Sequence, residues 1–529
     1  MQSTAFTDKL PSVSAPLIAQ KKSNRLIFIF IAGIALCLAP LLVLLGSDVG
    51  FSTLLAGTAV LVGLVLIVRW PVVGFYAAAA CALLVEQDPL VVDGKVSYYL
   101  YIFYWPPQLA GLIERPIGFL LLFTFLVVIC HRFAKREKLL QGGNLLWPLL
   151  FFLLCVVMGA AHGLATGGNL KIVVLEVRPF EYLFLSYLLA VNLITGKKQV
   201  RILFWFVIVC AGIKALQGTY IYLVQYHGSL LGHNEIMAHE ESFFFVAVLL
   251  LAIIFILHAN HRPQFFTILL LLPLLGIALV GNQRRTDYIA LLIGALVAWA
   301  ITFIVKPHAR KPLLTGMIIF LLAGGAYVLA FANSTGGLSE PARAVLSLIR
   351  PDPRDAASNL YRTIENYDLK YTLKQNPLLG YGFGKEFLQP IPLPNILSLD
   401  PYYLYVPHNT IYWVWMRLGP LGYFALWLVF GSIVVRGCMV ARQLRDTYLR
   451  SVAIFVVAIT FMEVIAAYAD YQLFFYRNII YLGLLVGVLV KLPALDKDKN
   501  MTKEKEQTTD EASDGVRLPA SALVGGKRA

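Results

Sequence analysis

The chain has 529 residues, of which 59% are apolar and 14% charged, with a formal net charge of +14 and a mean hydropathy of +0.73. A soluble globular protein carries roughly 25% charged residues, so a single hydrophobic core does not account for this composition. The apolar residues come in blocks long enough to cross a bilayer, and the surplus Lys and Arg read as cytoplasmic loops of a membrane protein, not as a nucleic-acid surface.

Fourteen blocks follow one another, at about 26–46, 52–68, 71–86, 116–131, 145–165, 175–195, 201–223, 241–258, 264–281, 286–305, 313–332, 410–435, 451–469 and 474–490. Each reaches across roughly 30 Å of hydrocarbon at about 1.5 Å per residue, the shortest (71–86) only just. The fold class is therefore an all-α integral membrane protein of about 14 (12–14) transmembrane helices. No cleavable leader is read, because residues 1–20 are polar and the first block is long enough to span. The six cysteines lie in or beside apolar blocks without CxxC spacing, which indicates neither a disulfide framework nor a zinc site.

Starting with Lys21, Lys22 and Arg25 in the cytoplasm, alternation puts every strongly basic short loop on one side: 131–138, 196–201, 258–262, 306–311 and 436–450. That satisfies the positive-inside rule and places both termini in the cytoplasm. The organisation expected is a cytoplasmic segment 1–25, helices over 26–332, a large extracytoplasmic loop 333–409 between the eleventh and twelfth helices, helices over 410–490, and a disordered cytoplasmic tail 491–529. The loop contains a helix-compatible stretch, Asp355 to Lys374, and a glycine cluster in Asn376-Pro-Leu-Leu-Gly-Tyr-Gly-Phe-Gly384 that lets backbones pack closely.

Charges at the outer ends of these blocks call for an explanation, since an arginine in a span is rare and usually functional. Arg178 lies in Glu176-Val-Arg-Pro-Phe; Arg284 and Arg285 form a doublet in a very short outer connection. A pair with Glu181, snorkelling or a headgroup anchor is the bland reading. The functional one is a site for a diphosphate, which guanidinium groups bind through paired donors. Arg477, at the outer start of the last block, is a weaker addition. His408 opens the block at 410 on the same face, after Pro407 and before Asn409 and Gly419-Pro-Leu-Gly422. It is a candidate general base, against the plainer reading of an interfacial histidine satisfied by a backbone carbonyl. His227, His233 and His239 with Glu235, Glu240 and Glu241 match no zinc spacing and read better as a polar outer loop. Lys214 and Glu463, inside spans, are expected to find partners in the bundle and receive no role.

His408-Asn409, nine residues, then Gly419-x-x-Gly422 is similar to the His-(Asn/Ser)-x9-Gly-x-x-Gly pattern of the O-antigen ligases and related bacterial polysaccharide polymerases. The Asn376–Gly384 stretch resembles the segment that precedes it there. The 283–286 junction looks like the family's outer-helix arginine, with Arg285 the better fit of the two, and Arg178 resembles its earlier membrane arginine. The likeness is sharp over about 280–425 and architectural elsewhere. It implies a GT-C-type bundle in the bacterial cytoplasmic (inner) membrane with its active site facing the periplasm. It also implies an inverting, metal-independent transfer from a polyprenyl-diphosphate-linked glycan donor to an acceptor hydroxyl, on lipid A-core, another glycan or a protein, with no cofactor. The alternatives are a polysaccharide polymerase of the same family and, in another class, a transporter or flippase of lipid-linked glycans. The latter would string charges through the midplane of repeated halves, whereas here they gather at one face.

Overall fold

The computed structural model describes residues 51–85, 90–92, 95–97, 115–229, 235–258, 262–334, 337–351, 353–395 and 402–514. These fall in two units, residues 1–74 and 75–529. The first contributes α1 (Phe51–Arg69), and α2 (Pro71–Leu84) starts at its end. In the second come α3 (Pro116–Ala134), α4 (Leu146–Ala165), α5 (Leu170–Leu193), α6 (Lys197–Tyr220), α7 (His239–His258), α8 (Arg262–Asn282), α9 (Arg285–Val305) and α10 (Arg310–Phe331). Two loop helices follow, α11 (Glu340–Leu346) and α12 (Pro353–Gln375), then α13 (Thr410–Gln443), α14 (Thr447–Ala469) and α15 (Tyr476–Asp514). One short antiparallel hairpin, Leu90–Val92 with Lys95–Ser97, interrupts the helices.

The protein is an all-α integral membrane protein. Ten helices among the described residues are long and apolar enough to cross a membrane. The expected fourteen differ from this for identifiable reasons. Block 26–46 lies outside the described residues; the apolar stretches of α1 and α2 are short; and α5 carries Lys171, Glu176, Arg178 and Glu181 along an otherwise apolar helix. A second difference lies at the C-terminus, where α15 continues as helix to Asp514 through the segment expected to be disordered. Asp496 ties its first part down by accepting the backbone N–H groups of Arg445 and Asp446 at 2.8 and 3.0 Å, and the Lys, Glu and Gln that follow are good helix formers.

α14 and the apolar half of α15 form the buried centre. Around them α15 packs along α5, α14 along α9 and α13, α13 also on α4, and α6 on α8. α10, by contrast, has no buried residue, as befits a helix whose sides meet lipid. Asn169, Asn409 and Asp446 cap α5, α13 and α14 by accepting backbone N–H groups of the first turn.

Candidate active site

The Gly419-Pro420 pair breaks α13. Gly419 sits at φ 65°, ψ −170°, and Pro420 cannot donate to the carbonyl of Met416 four residues back. The freed carbonyls are taken by the glycine loop: Tyr381 N–H donates to Met416 O at 2.6 Å and Gly382 N–H to Arg417 O at 3.1 Å. The loop runs on between α4 and α5. Phe383 N–H donates to Gly159 O at 3.3 Å, and Asn169 N–H to Gly384 O at 2.8 Å. Non-helical backbone inside a membrane bundle needs such partners. The fit requires glycine: at Gly382 (φ 80°) a Cβ would lie 2.6 Å from the Gly163 Cα, and at Gly163 one would lie 2.1 Å from Phe383 O.

A buried ion pair locks this arrangement. Arg417 binds Glu176 at 2.7 Å, both side chains fully buried. Glu176 also accepts Gly384 N–H at 2.5 Å and Trp413 Nε1–H at 3.2 Å. Arg417 in turn donates to Gly382 O at 3.0 Å and to Tyr405 O at 2.8 Å. Tyr405 is three residues before His408, so the lock fixes the segment that delivers the histidine. Neither role was read from the sequence. An arginine in the middle of an apolar run is the same signal that singled out Arg178, and it would have found Arg417.

His408 is held by α12. Its Nδ1 lies 3.1 Å from Glu365 Oε1, and its backbone N–H donates to Glu365 Oε2 at 3.0 Å. Glu365 is almost wholly buried, while the imidazole keeps 18% of its surface exposed. The ring is flanked by Tyr471 and Tyr361, with centroids 4.5 and 5.5 Å away. Asn409 donates to Asn366 at 2.9 Å, one residue along α12 from Glu365. A carboxylate can only accept, so it takes the Nδ1 hydrogen of a neutral imidazole and leaves the lone pair on Nε2.

The connection between α14 and α15 gathers the rest. Asp470 lies 3.8 Å from Arg284 Nη1 and 3.2 Å from His239 Nδ1; Tyr471 packs on His408; and Tyr476, just beyond, accepts a hydrogen bond from Arg178 at 3.1 Å. The starts of α7, α9, α13 and α15 therefore meet the end of α14 in one place, each start presenting the positive end of a helix dipole. Burial works to raise the Asp470 carboxyl. His239, then Arg284 and His408, act the other way and prevail, holding it well below the usual carboxylate range. Arg284 also pairs with Glu235.

Arg285 points elsewhere. It binds Asp355 at 2.9 Å and Ser347 Oγ at 3.1 Å. Asp355 and Glu365 are both on α12, ten residues or about 15 Å apart along the helix axis. The doublet thus divides, Arg284 toward the connector and Arg285 toward the loop helices. Arg477 is fully buried against Glu240 at 3.2 Å and Glu241 at 2.7 Å, and its guanidinium also donates to Ala82 O and Leu83 O. Lys214 joins the same cluster, 3.1 Å from Glu241, whereas Glu463 accepts from Gln472 at 3.1 Å. Of the polar residues around 227–241, Glu240 and Glu241 serve this core cluster and Glu235 and His239 the connector; His233 lies outside the described residues. Among the described residues no group of three His, Cys, Asp or Glu side chains is arranged to hold a metal.

The family model described as O-antigen ligase matches residues 268–428, a stretch from α8 to the middle of α13 that contains Arg284, Arg285, Glu365, the glycine loop and His408. The O-antigen ligase of Salmonella typhimurium (strain LT2) is 24% identical in an alignment covering 58% of this chain and 74% of that protein. Both comparisons support the O-antigen ligase/polymerase family for this chain. They likewise support a membrane glycosyltransferase-like function in lipopolysaccharide-type biosynthesis. The family match ends just past the α13 kink, so Asp470, Tyr471 and Tyr476 lie outside the matched stretch.

Proposed function

We propose that the protein transfers a glycan from a polyprenyl-diphosphate donor to an acceptor hydroxyl, with inversion at the anomeric carbon and without a metal. One observation carries the reading: His408, oriented by Glu365, packs on the connector that Arg284 also contacts, and Arg178 reaches Tyr476 just beyond it. A base and an anion site side by side are what a displacement with a diphosphate leaving group needs.

In this reading the acceptor hydroxyl gives its proton to His408 Nε2 as its oxygen attacks the anomeric carbon. The carbon–oxygen bond to the diphosphate breaks on the opposite face, and the leaving group departs with the electron pair. Arg284 and Arg178, with the helix N-termini around them, stabilise the charge that develops there. Glu365 keeps the Nδ1 hydrogen in place and stabilises the imidazolium that forms, as a carboxylate does behind other catalytic histidines. Arg285 and Asp355 hold α12 over the site. Asn409 supports the first turn of α13, and Arg477 belongs to the core cluster.

The chain lies in the cytoplasmic membrane in this reading, with fourteen spans, both termini inside and the site on the periplasmic face. The acceptor is lipid A-core for a ligase or a growing glycan for a polymerase. The test is transfer by the purified protein in detergent from a synthetic polyprenyl-diphosphate glycan, with the product's anomeric configuration read by NMR. Release of polyprenyl diphosphate with inverted product, unaffected by chelator, is the expected result. Retained configuration would overturn the single-displacement scheme, and loss of activity on chelation the metal-free one.

A further inference from the structure

The structure contains two ion clusters a few residues apart in sequence, built differently. Around Arg477, the side chains of Glu240, Glu241 and Lys214 are almost wholly closed, with exposures of 0–3%. Around Arg284 the side chains are open, at 22% for Arg284, 27% for His239 and for Glu235, and 13% for Asp470. A closed cluster holds a core together; partly exposed pairs contribute little stability. The open cluster therefore has another use.

Its geometry is a square of alternating charge. Arg284 contacts Glu235 and Asp470. His239 contacts the same two, Nε2 lying 3.0 Å from Glu235 Oε2 and Nδ1 3.2 Å from Asp470 Oδ2. A neutral imidazole has one N–H. A carboxylate oxygen at ion-pair distance from each ring nitrogen favours the protonated, cationic form of His239. Asp287, on the first turn of α9, is buried beside the same groups. A diphosphate enters such a square only by taking over the donors that a carboxylate now holds.

We infer that His239 is, with Arg284, the second cation of the donor-diphosphate site, and that Glu235 occupies that site when no donor is bound. The inference rests on the transferase reading above. Arg284 presents a fork suited to two phosphate oxygens, and His239 presents a second donor beside it. Glu235 is the carboxylate free to leave, since it precedes α7, whereas Asp470 is fixed in the connector, where its backbone N–H is bonded to Ala466 O at 2.8 Å.

The two members of the His239–Glu235 pair should respond differently to substitution. The probe is polyprenyl diphosphate without a glycan, titrated onto the full-length protein in detergent, with thermal unfolding of each variant measured in parallel. His239→Gln should weaken binding roughly 10–100-fold, the value of one charge-assisted hydrogen bond, and His239→Lys should recover most of it. Glu235→Gln should bind at least as tightly as wild type, because a competitor has been removed. If His239→Gln binds like wild type, or if Glu235→Gln weakens binding as His239→Gln does, the square is structural and the inference is wrong. Wild-type protein that does not bind polyprenyl diphosphate at all would instead remove the transferase reading, and this inference with it.

Discussion

Glu365 grips His408 twice, through ring Nδ1 at 3.1 Å and through the backbone N–H at 3.0 Å. Forty-three residues separate them, and the contact ties a loop helix to the first residues of a membrane helix. A glutamine at 365 keeps the size but can offer an N–H to Nδ1, which favours the wrong tautomer. Glu365→Gln should lower kcat by about 10²–10⁴-fold with little change in donor KM, the pattern for losing the carboxylate behind a catalytic histidine. Glu365→Asp should recover part of the loss. An equal fall in both variants, with the pH profile unchanged, would mark Glu365 as a packing residue only.

The two arginines of the doublet should separate in kinetics. Arg284→Ala removes a donor at the connector and should cut kcat/KM for the lipid-linked donor by about 10²–10³-fold. Arg285→Ala loosens an ion pair on α12, and such partly exposed pairs contribute little, so its effect should stay within about 10-fold. The reverse ranking would return the diphosphate to Arg285.

The glycine-loop lock makes a stability prediction. Removing one partner of a buried ion pair leaves a stranded charge at a cost of about 3–5 kcal/mol. Glu176→Gln should therefore lower the thermal midpoint sharply in detergent. Gly163→Ala should do the same, because its Cβ would meet the Phe383 backbone. A midpoint within a degree or two of wild type for both would show that the loop is not seated between α4 and α13 as described.

Much of this site was legible in the sequence, though unevenly. His408 announced itself because it stands where a polar loop meets an apolar run, and Arg284 because a charge in a short outer connection conflicts with the basic-loop pattern. The glycine cluster was legible as a close-packing turn, since three of its residues adopt positive φ. Glu365 was not legible. It is one of several acids on a polar helix, and nothing local distinguishes the one that reaches a histidine. Asp470 and His239 were hidden for the same reason, as only tertiary packing brings them to Arg284. The sequence favoured Arg285 because a Thr and an apolar run follow it, but which arginine faces the connector is settled by the turn at Gln283, a residue with positive φ. Arg477 shows the opposite failing, for a charge at a helix start looks alike whether it meets substrate or two buried glutamates.

Asp470 gives a pH dependence. Its carboxyl titrates lower in the folded protein than in an unfolded chain, where the value is about 3.9. The folded state then binds fewer protons in that range, so the associated stability is complete above the unfolded value and is lost as pH falls toward the folded one. Thermal midpoints of wild type and Asp470→Asn should differ by a constant amount above about pH 5 and converge below about pH 4. A gap that widens on acidification would contradict the assignment.

The proposed transfer depends most directly on His408 as the base. Single-turnover transfer from a lipid-linked donor, with His408→Ala compared with wild type at equal donor occupancy, isolates the chemical step from binding. The rate should fall by about 10²–10⁴-fold, the contribution of one positioned base, while polyprenyl-diphosphate binding stays near that of wild type. Transfer at the wild-type rate by His408→Ala would contradict the central claim.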